Sequence, residues 1–367
     1  MNASDLNPMP EIADWVERIV RADIRALAAY HVQDASGMVK LDAMENPYAL
    51  PQSLRQEIGE IAARAELNRY PDSEARELKA VLRTSMRVPE GMALLLGNGS
   101  DEIIQLLALA CARPGAVMLG VEPSFAMFPM VARFCGLEFV GVPLGVNFRL
   151  ETDRMLDAIE RHRPPLIFIA YPNNPTGNLF DAGAVETIVR RAPGLVVIDE
   201  AYHPFAQTSF MPRLNEFPNL LVMRTLSKLG LAGVRLGALA GRPEWIAELN
   251  KLRLPYNVNV LTQVVAAYVL KHADVLEAQA AQIRAERSRL LSRLRAMSRV
   301  EAFASDANFI LFRVPAVQAV FEAIKARGVL IKKLAGSHPA LENCLRVTVG
   351  TASENDAFLA ALTASIE

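Results

Sequence analysis

Short runs of apolar residues recur through the middle of the chain: Leu94–Leu96, Val117–Val121, Phe139–Val142, Leu166–Ala170, Leu195–Ile198, Leu220–Met223 and Gly237–Ala240. Each is of strand length and lacks the apolar–polar alternation of a half-exposed strand, so both faces should be covered. Segments such as Asp101–Ala112 and Asp181–Arg191, with helical spacing of apolar positions, separate most of them. Strands alternating with helices predict an α/β fold built on a mainly parallel seven-stranded sheet covered by helices.

The flanks read differently. Over residues 11–30, Ile12, Trp15, Val16, Ile19 and Leu27 fall on one helical stripe, which predicts an amphipathic helix packed on its own core or on a partner subunit. After Pro255 a long helical pattern runs from Val258 to Arg295. Strands are expected at Asn308–Arg313, Gly328–Lys332 and Cys344–Val349, with helices at Val317–Ala326 and Glu354–Ile366. The expected organisation is an N-terminal helix and arm (1–45), a large α/β domain (46–257) and a small C-terminal α+β domain (258–367). The chain carries no repeat and no Gly/Ser linker, so these parts should pack together.

Composition narrows the class. Among 367 residues, 51% are hydrophobic and 22% charged, which excludes wholesale disorder. Lys plus Arg (39) nearly cancels Asp plus Glu (40), leaving no electrostatic reason to expect a nucleic-acid or membrane partner. Cys111, Cys135 and Cys344 form no C-x-x-C pair, and an odd number argues against a disulfide framework. The first residues carry acids and no apolar stretch of the signal-peptide kind, and the longest apolar runs, such as Leu166–Tyr171, are too short to span a bilayer. A cytoplasmic protein is expected.

Several chemistries are excluded by motif. Gly97-Asn-Gly-Ser-Asp-Glu102 has glutamate where a dinucleotide-binding loop needs its third glycine, and no Walker A or G-x-S-x-G motif occurs. His31, His162, His203, His272 and His338 are scattered without ligand spacing, so no metal site is expected.

What remains lies at the carboxyl ends of the apolar runs, where open α/β sheets bind ligands. Leu94–Ile104 breaks at two glycines into a helix start, with Gly99, Ser100 and Asp101 offering backbone N–H groups to an anion. Tyr171-Pro-Asn-Asn-Pro-Thr-Gly177 is a rigid turn presenting Asn174. Leu195–Tyr202 ends a buried strand in Asp199, whose carboxylate needs a cationic or hydrogen-bonding partner. Met223–Gly237 sets Ser227 and Lys228 among apolar residues, where an amine pKa falls toward that of a nucleophile, with Arg235 following. Singly, each fits an ordinary turn, helix cap, salt bridge or solvated lysine. Together they offer a phosphate cup, an amide, a carboxylate and an amine, the groups that pyridoxal 5′-phosphate (PLP) requires.

The motifs also carry a family resemblance. Glu45-Asn-Pro-Tyr48, Arg69-Tyr-Pro-Asp72, Gly97–Glu102, Pro172–Gly177, Asp199-Glu-Ala-Tyr202, Thr225-Leu-Ser-Lys228, Gly230-Leu-Ala-Gly233, Pro255-Tyr-Asn-Val258, Ala307-Asn-Phe309 and Leu345–Thr351 run nearly the length of the chain. In these it resembles the fold-type-I PLP aminotransferases, and among them the histidinol-phosphate aminotransferases. The resemblance implies that Lys228 binds the cofactor covalently and moves the substrate proton. It implies that Asp199 pairs with the ring nitrogen, and that Asn174 and Tyr202 hydrogen-bond the phenolic oxygen. Ser100, Asp101, Ser227 and Arg235 would hold the phosphate, with the Asp101 side chain turned away. Tyr70 would reach that phosphate from the other subunit of a homodimer with shared active sites. Arg346 would anchor the small anionic substrates, glutamate or histidinol phosphate, with Tyr48 and Asn308 lining their pocket.

The chain departs from that family in places. Phe125 stands where a tyrosine often stacks on the cofactor ring, the loop from Lys228 to Arg235 is one residue short, and Lys332 falls where a second substrate-anion arginine is expected. The expected reaction is transamination of L-histidinol phosphate with 2-oxoglutarate. An aromatic amino acid aminotransferase or a threonine-phosphate decarboxylase of the same fold is the alternative. A PLP-responsive regulator would need a DNA-binding segment for which the chain has no room.

Overall fold

A computed structural model describes residues 12–29 and 32–366. Up to Asp34 the described residues form a unit of their own, and Ala35 onward forms another. In the first unit the expected single helix is instead two, Ile12–Ile19 and Ala22–Arg25, separated at Val20–Arg21. Ile12, Trp15, Val16 and Ile19 do share a stripe, and all four are exposed. The ends of that expected helix, Glu11 and Tyr30, and also His31, lie outside the described residues.

The second unit contains three sheets. Its strands in chain order are β1 (Val39–Lys40), β2 (Ala93–Asn98), β3 (Val117–Glu122), β4 (Glu138–Pro143), β5 (Leu166–Ala170), β6 (Leu195–Asp199), β7 (Leu220–Thr225), β8 (Leu236–Gly241), β9 (Glu301–Ala302), β10 (Phe309–Arg313), β11 (Val329–Leu330), β12 (Lys332–Lys333) and β13 (Cys344–Thr348). β2 to β8 build a seven-stranded sheet in the order β2-β8-β7-β6-β5-β3-β4. It is parallel except at β8, which runs antiparallel to both β2 and β7.

Alternate residues of these strands enter two different cores. Ile167, Ile169, Val196 and Ile198 pack on one face of the sheet. Leu166, Phe168, Leu195 and Val197 pack on the other. This is why the runs read as uniformly apolar: each residue is buried, whichever way it points.

Two expectations for the C-terminal part need correction. The helical pattern Val258–Arg295 is two helices, Val260–Leu270 and Ala273–Arg295, with the break at Lys271–His272. The run Gly328–Lys332 is split between sheets, because β11 pairs with β1 while β12 pairs with β13. β12, β13, β10 and β9 form a four-stranded antiparallel sheet. Its core unites Phe309, Phe312, Leu345, Val347 and Phe358.

Candidate active site

The carboxyl ends of β5, β6 and β7 open onto a cavity of about 110 Å³. Adjacent parallel strands end at the same level, so the loops that follow them converge. The cavity is lined by nine residues expected from the sequence: Ser100, Asp101, Phe125, Asn174, Asp199, Tyr202, Ser227, Lys228 and Arg235.

β6 shows how local structure sorts charge. Asp199, the last residue of the strand, faces the cavity and accepts a 3.0 Å hydrogen bond from the N–H of Ala201. Glu200 follows it and points away into a buried network. Its carboxylate takes Arg224 Nε at 2.9 Å, Ser209 Oγ at 2.8 Å and the N–H of Phe210 at 2.6 Å. The arginine therefore compensates Glu200, and burial pushes the Asp199 carboxyl up to about 7.

Lys228 Nζ donates to the carbonyl of Ala43 at 2.9 Å. Burial, followed by the positive charge of Arg346, brings its amine down to about 8. Burial also raises the Tyr202 phenol, whose hydroxyl donates to Met44 Sδ at 3.2 Å.

The anion cup is tightly built. Gly99 precedes the helix Ser100–Cys111 with φ +86°, and a Cβ there would lie 2.5 Å from Arg235 Nη2. A Cβ on Gly237 would come within 2.7 Å of the Ser100 nitrogen. Only glycine lets these backbones approach so closely. Arg235 Nη1 donates to Ser227 Oγ at 3.3 Å, and Ser227 Oγ accepts from Thr225 Oγ1 at 2.9 Å. The Asp101 carboxylate lies in the cavity lining, 3.7 Å from Arg235 Nη2.

The remaining expected residues lie around the cavity. Arg346 is buried and donates to Asn174 Oδ1 at 2.5 Å and to the Asp42 carbonyl at 3.0 Å, with its guanidinium over the Phe309 ring. Lys332 sits opposite Arg346 in the β12–β13 pairing. Asn308 is fully buried, its amide donating to the Met44 carbonyl at 3.0 Å and its Oδ1 lacking a hydrogen-bond partner. Tyr48 packs against the C-terminal core rather than among the lining residues. Tyr70 is 80% exposed and stacks on Tyr256, ring centroids 4.4 Å apart, away from this cavity.

Sequence reasoning missed Met44, Ala170, Ala201 and Thr225 among the lining residues. Ala201 and Thr225 lie inside the recognised motifs and Ala170 adjoins one, so these three were within reach of the sequence. Met44 was not, since a methionine signals only apolar surface. It has φ 55° and belongs to a segment, residues 41–46, that crosses the site. Lys228, Tyr202, Arg346 and Asn308 all hydrogen-bond to that segment.

Known proteins share both sequence and fold. The family described as aminotransferase class I and II matches residues 36–362. A curated relative from Ralstonia nicotianae, named histidinol-phosphate aminotransferase 1, is 57% identical, covering 98% of this chain and 97% of its own. Another from Cupriavidus pinatubonensis, named histidinol-phosphate aminotransferase 2, is 56% identical over 96% of this chain and 98% of its own. The crystal structure of histidinol-phosphate aminotransferase from Sinorhizobium meliloti in complex with pyridoxal-5′-phosphate superposes with a TM-score of 0.83 at 23% identity, covering 94% of this chain and 96% of that one. That likeness extends the agreement to the fold. With the family pattern spanning all three sheets and the relatives matching nearly end to end, the chain belongs to the class I and II aminotransferases.

Proposed function

We propose that this chain is a PLP-dependent aminotransferase that converts L-histidinol phosphate and 2-oxoglutarate to imidazole-acetol phosphate and L-glutamate, in histidine biosynthesis. The observation that carries the reading is Lys228 and Asp199 facing one cavity, in a chain 57% identical to a relative named for that activity.

The residues fit the cofactor. Asp199 is a buried carboxyl at the cavity wall, and Arg224 of the adjacent strand β7 is already committed to Glu200, which suits a protonated ring nitrogen. The glycine-lined turn at Gly99–Asp101, with Arg235 and Ser227, suits a phosphate. PLP, when bound, supplies an aldehyde for amines and an electron-withdrawing ring that acidifies the adjacent C–H bond.

The chain supplies the rest. Lys228 Nζ would anchor the cofactor aldehyde and would take and return the proton at the substrate carbon, a task matched to its lowered pKa. Asp199 holds the proton of the ring nitrogen. Asn174 Nδ2 and the Tyr202 hydroxyl orient the phenolic oxygen, while Asn174 Oδ1 positions Arg346. Phe125 covers the ring. Arg346 binds the glutamate carboxylate in one half-reaction and the substrate phosphate in the other, because a guanidinium fork matches either anion. Lys332 adds a point charge beside it, with Tyr48 and Asn308 bordering the substrate.

The working assembly is a homodimer in which Tyr70 serves the partner's phosphate site. Exposed Leu67, Tyr70 and Leu254 support this, as apolar surface that association would cover. The division into arm (1–45), large domain (46–257) and small domain (258–367) belongs to the same reading. So does a cytoplasmic location. No described helix is long and apolar enough to cross a membrane.

The test is to mix the purified protein with L-histidinol phosphate and 2-oxoglutarate and measure L-glutamate. Release of carbon dioxide from a phosphorylated amino acid, without glutamate, would identify a decarboxylase instead. A preference for phenylalanine over histidinol phosphate would identify an aromatic aminotransferase.

A further inference from the structure

Behind the anion cup lies a set of side chains that touches neither the cavity nor the substrate groups. Glu102, in the first turn of the helix Ser100–Cys111, directs one carboxylate oxygen back to the N–H of Asn98. The same oxygen accepts from Asn257 Nδ2 at 2.9 Å, and that amide nitrogen also donates to the Leu96 carbonyl at 3.1 Å. Asn257 cannot flip without loss, because its Oδ1 accepts from Arg253 Nη1 at 3.1 Å. Arg253 is itself fixed: its side chain is 9% exposed and also bonds Asn250 Oδ1 at 2.7 Å and Glu74 Oε1 at 3.4 Å. Gly97 packs against this helix turn so closely that a Cβ would meet Ile103 at 2.7 Å.

A carboxylate beside an anion site repels the anion, so its presence there calls for a reason. Glu102 occupies the N–H of Asn98, just ahead of the helix, and leaves the first-turn N–H groups of Ser100 and Asp101 to another acceptor. The loop carrying Asn257 thereby grips the turn from outside the cavity. We propose that Glu102 and Asn257 form a clamp of positioning residues that sets the Gly97–Asp101 turn for the cofactor phosphate. The proposal rests on the reading that this turn holds that phosphate.

The probe that isolates the clamp is the phosphate itself. Cofactor-depleted protein is titrated with PLP and with pyridoxal, which keeps the aldehyde and ring but lacks the phosphate. Glu102→Ala and Asn257→Ala should each weaken PLP about tenfold, the cost of roughly one charge-assisted hydrogen bond, and weaken pyridoxal less than about twofold. Glu102→Gln keeps one oxygen for both donors and should bind PLP like the unmodified protein. The double variant should lose little more than either single one, since the two residues act as a unit. Should Glu102→Ala fail to fold, Asn257→Ala carries the test alone, because it retains the Glu102–Asn98 bond. Equal losses for PLP and pyridoxal, or no loss for either, would overturn the clamp. Equal affinities of the unmodified protein for the two aldehydes would overturn the phosphate reading beneath it, and the clamp with it.

Discussion

Lys228 Nζ donates a 2.9 Å hydrogen bond to the backbone carbonyl of Ala43, a residue 185 positions earlier in the chain. A neutral carbonyl is weak compensation for a buried ammonium, so the amine is brought down to about 8 by burial and by Arg346. The site thus holds a nucleophile that loses its proton near physiological pH.

A measurable consequence follows for the cofactor-free protein. Between pH 8 and 10.5 the unfolded chain keeps the Lys228 proton while the folded chain has released it. Stability should therefore rise with pH across that window, and Lys228→Met should flatten the rise in denaturant unfolding. The same substitution should lower transamination by at least about three orders of magnitude, as expected for loss of a residue that both binds and moves protons.

Asp199 works in the opposite direction. Burial raises its carboxyl from 3.8 to about 7, so over that range the folded chain holds a proton that the unfolded chain releases. Stability of the cofactor-free protein should fall as pH rises from 3.8 to 7, with the full penalty remaining above 7. Asp199→Asn should remove that penalty. Its thermal midpoint at pH 8 should exceed that of the unmodified protein by a few degrees, while its transamination collapses. A midpoint below that of the unmodified protein would refute the electrostatic account.

Glu200 and Arg224 are buried together, 1% and 7% exposed. Arg224→Met would strand the Glu200 carboxylate and should cost about 3–5 kcal/mol in urea unfolding. The pair Glu200→Gln with Arg224→Met should recover most of that loss, because no unpaired charge is left behind. If the double variant is as unstable as the single one, packing rather than charge governs this network.

Arg346 and Lys332 lie opposite one another across β13 and β12 but in different settings, the arginine buried and the lysine half-exposed. Arg346→Ala should raise KM for both glutamate and histidinol phosphate. Lys332→Ala should raise KM for histidinol phosphate selectively, and Lys332→Arg should lower it. Steady-state kinetics with both donors distinguishes these outcomes. A Lys332→Ala effect equal for the two donors would remove its role in phosphate recognition.

Much of this architecture is legible in the chain because burial on both faces leaves an unmistakable mark. The runs Leu166–Ala170 and Leu195–Ile198 fall on β5 and β6 since every residue there is buried. The break at Lys271–His272 is not legible, because no glycine or proline marks it and good helix formers flank it. Nor does the run Gly328–Lys332 reveal that its two halves pair with different strands, since strand propensity does not name a partner. In the site, Lys228, Asp199 and Asn174 could be read because reactive groups at strand ends are unusual. Met44 could not. Its part is played by a backbone carbonyl, a thioether and a left-handed φ of 55°, none of which its residue type announces.

The neighbours Asp199 and Glu200 carry one further implication. They differ by a single methylene, yet one meets the cavity and the other meets Arg224. What separates them is one step of the backbone where β6 ends, since Asp199 is its last residue and Glu200 the first beyond it. Insertion of one residue into that strand would bring Ile198 to the place Asp199 now holds and would carry both acids off their present partners. The placement of a carboxyl at the cavity thus depends on the length of β6, which is as much a property of the site as the carboxyl itself.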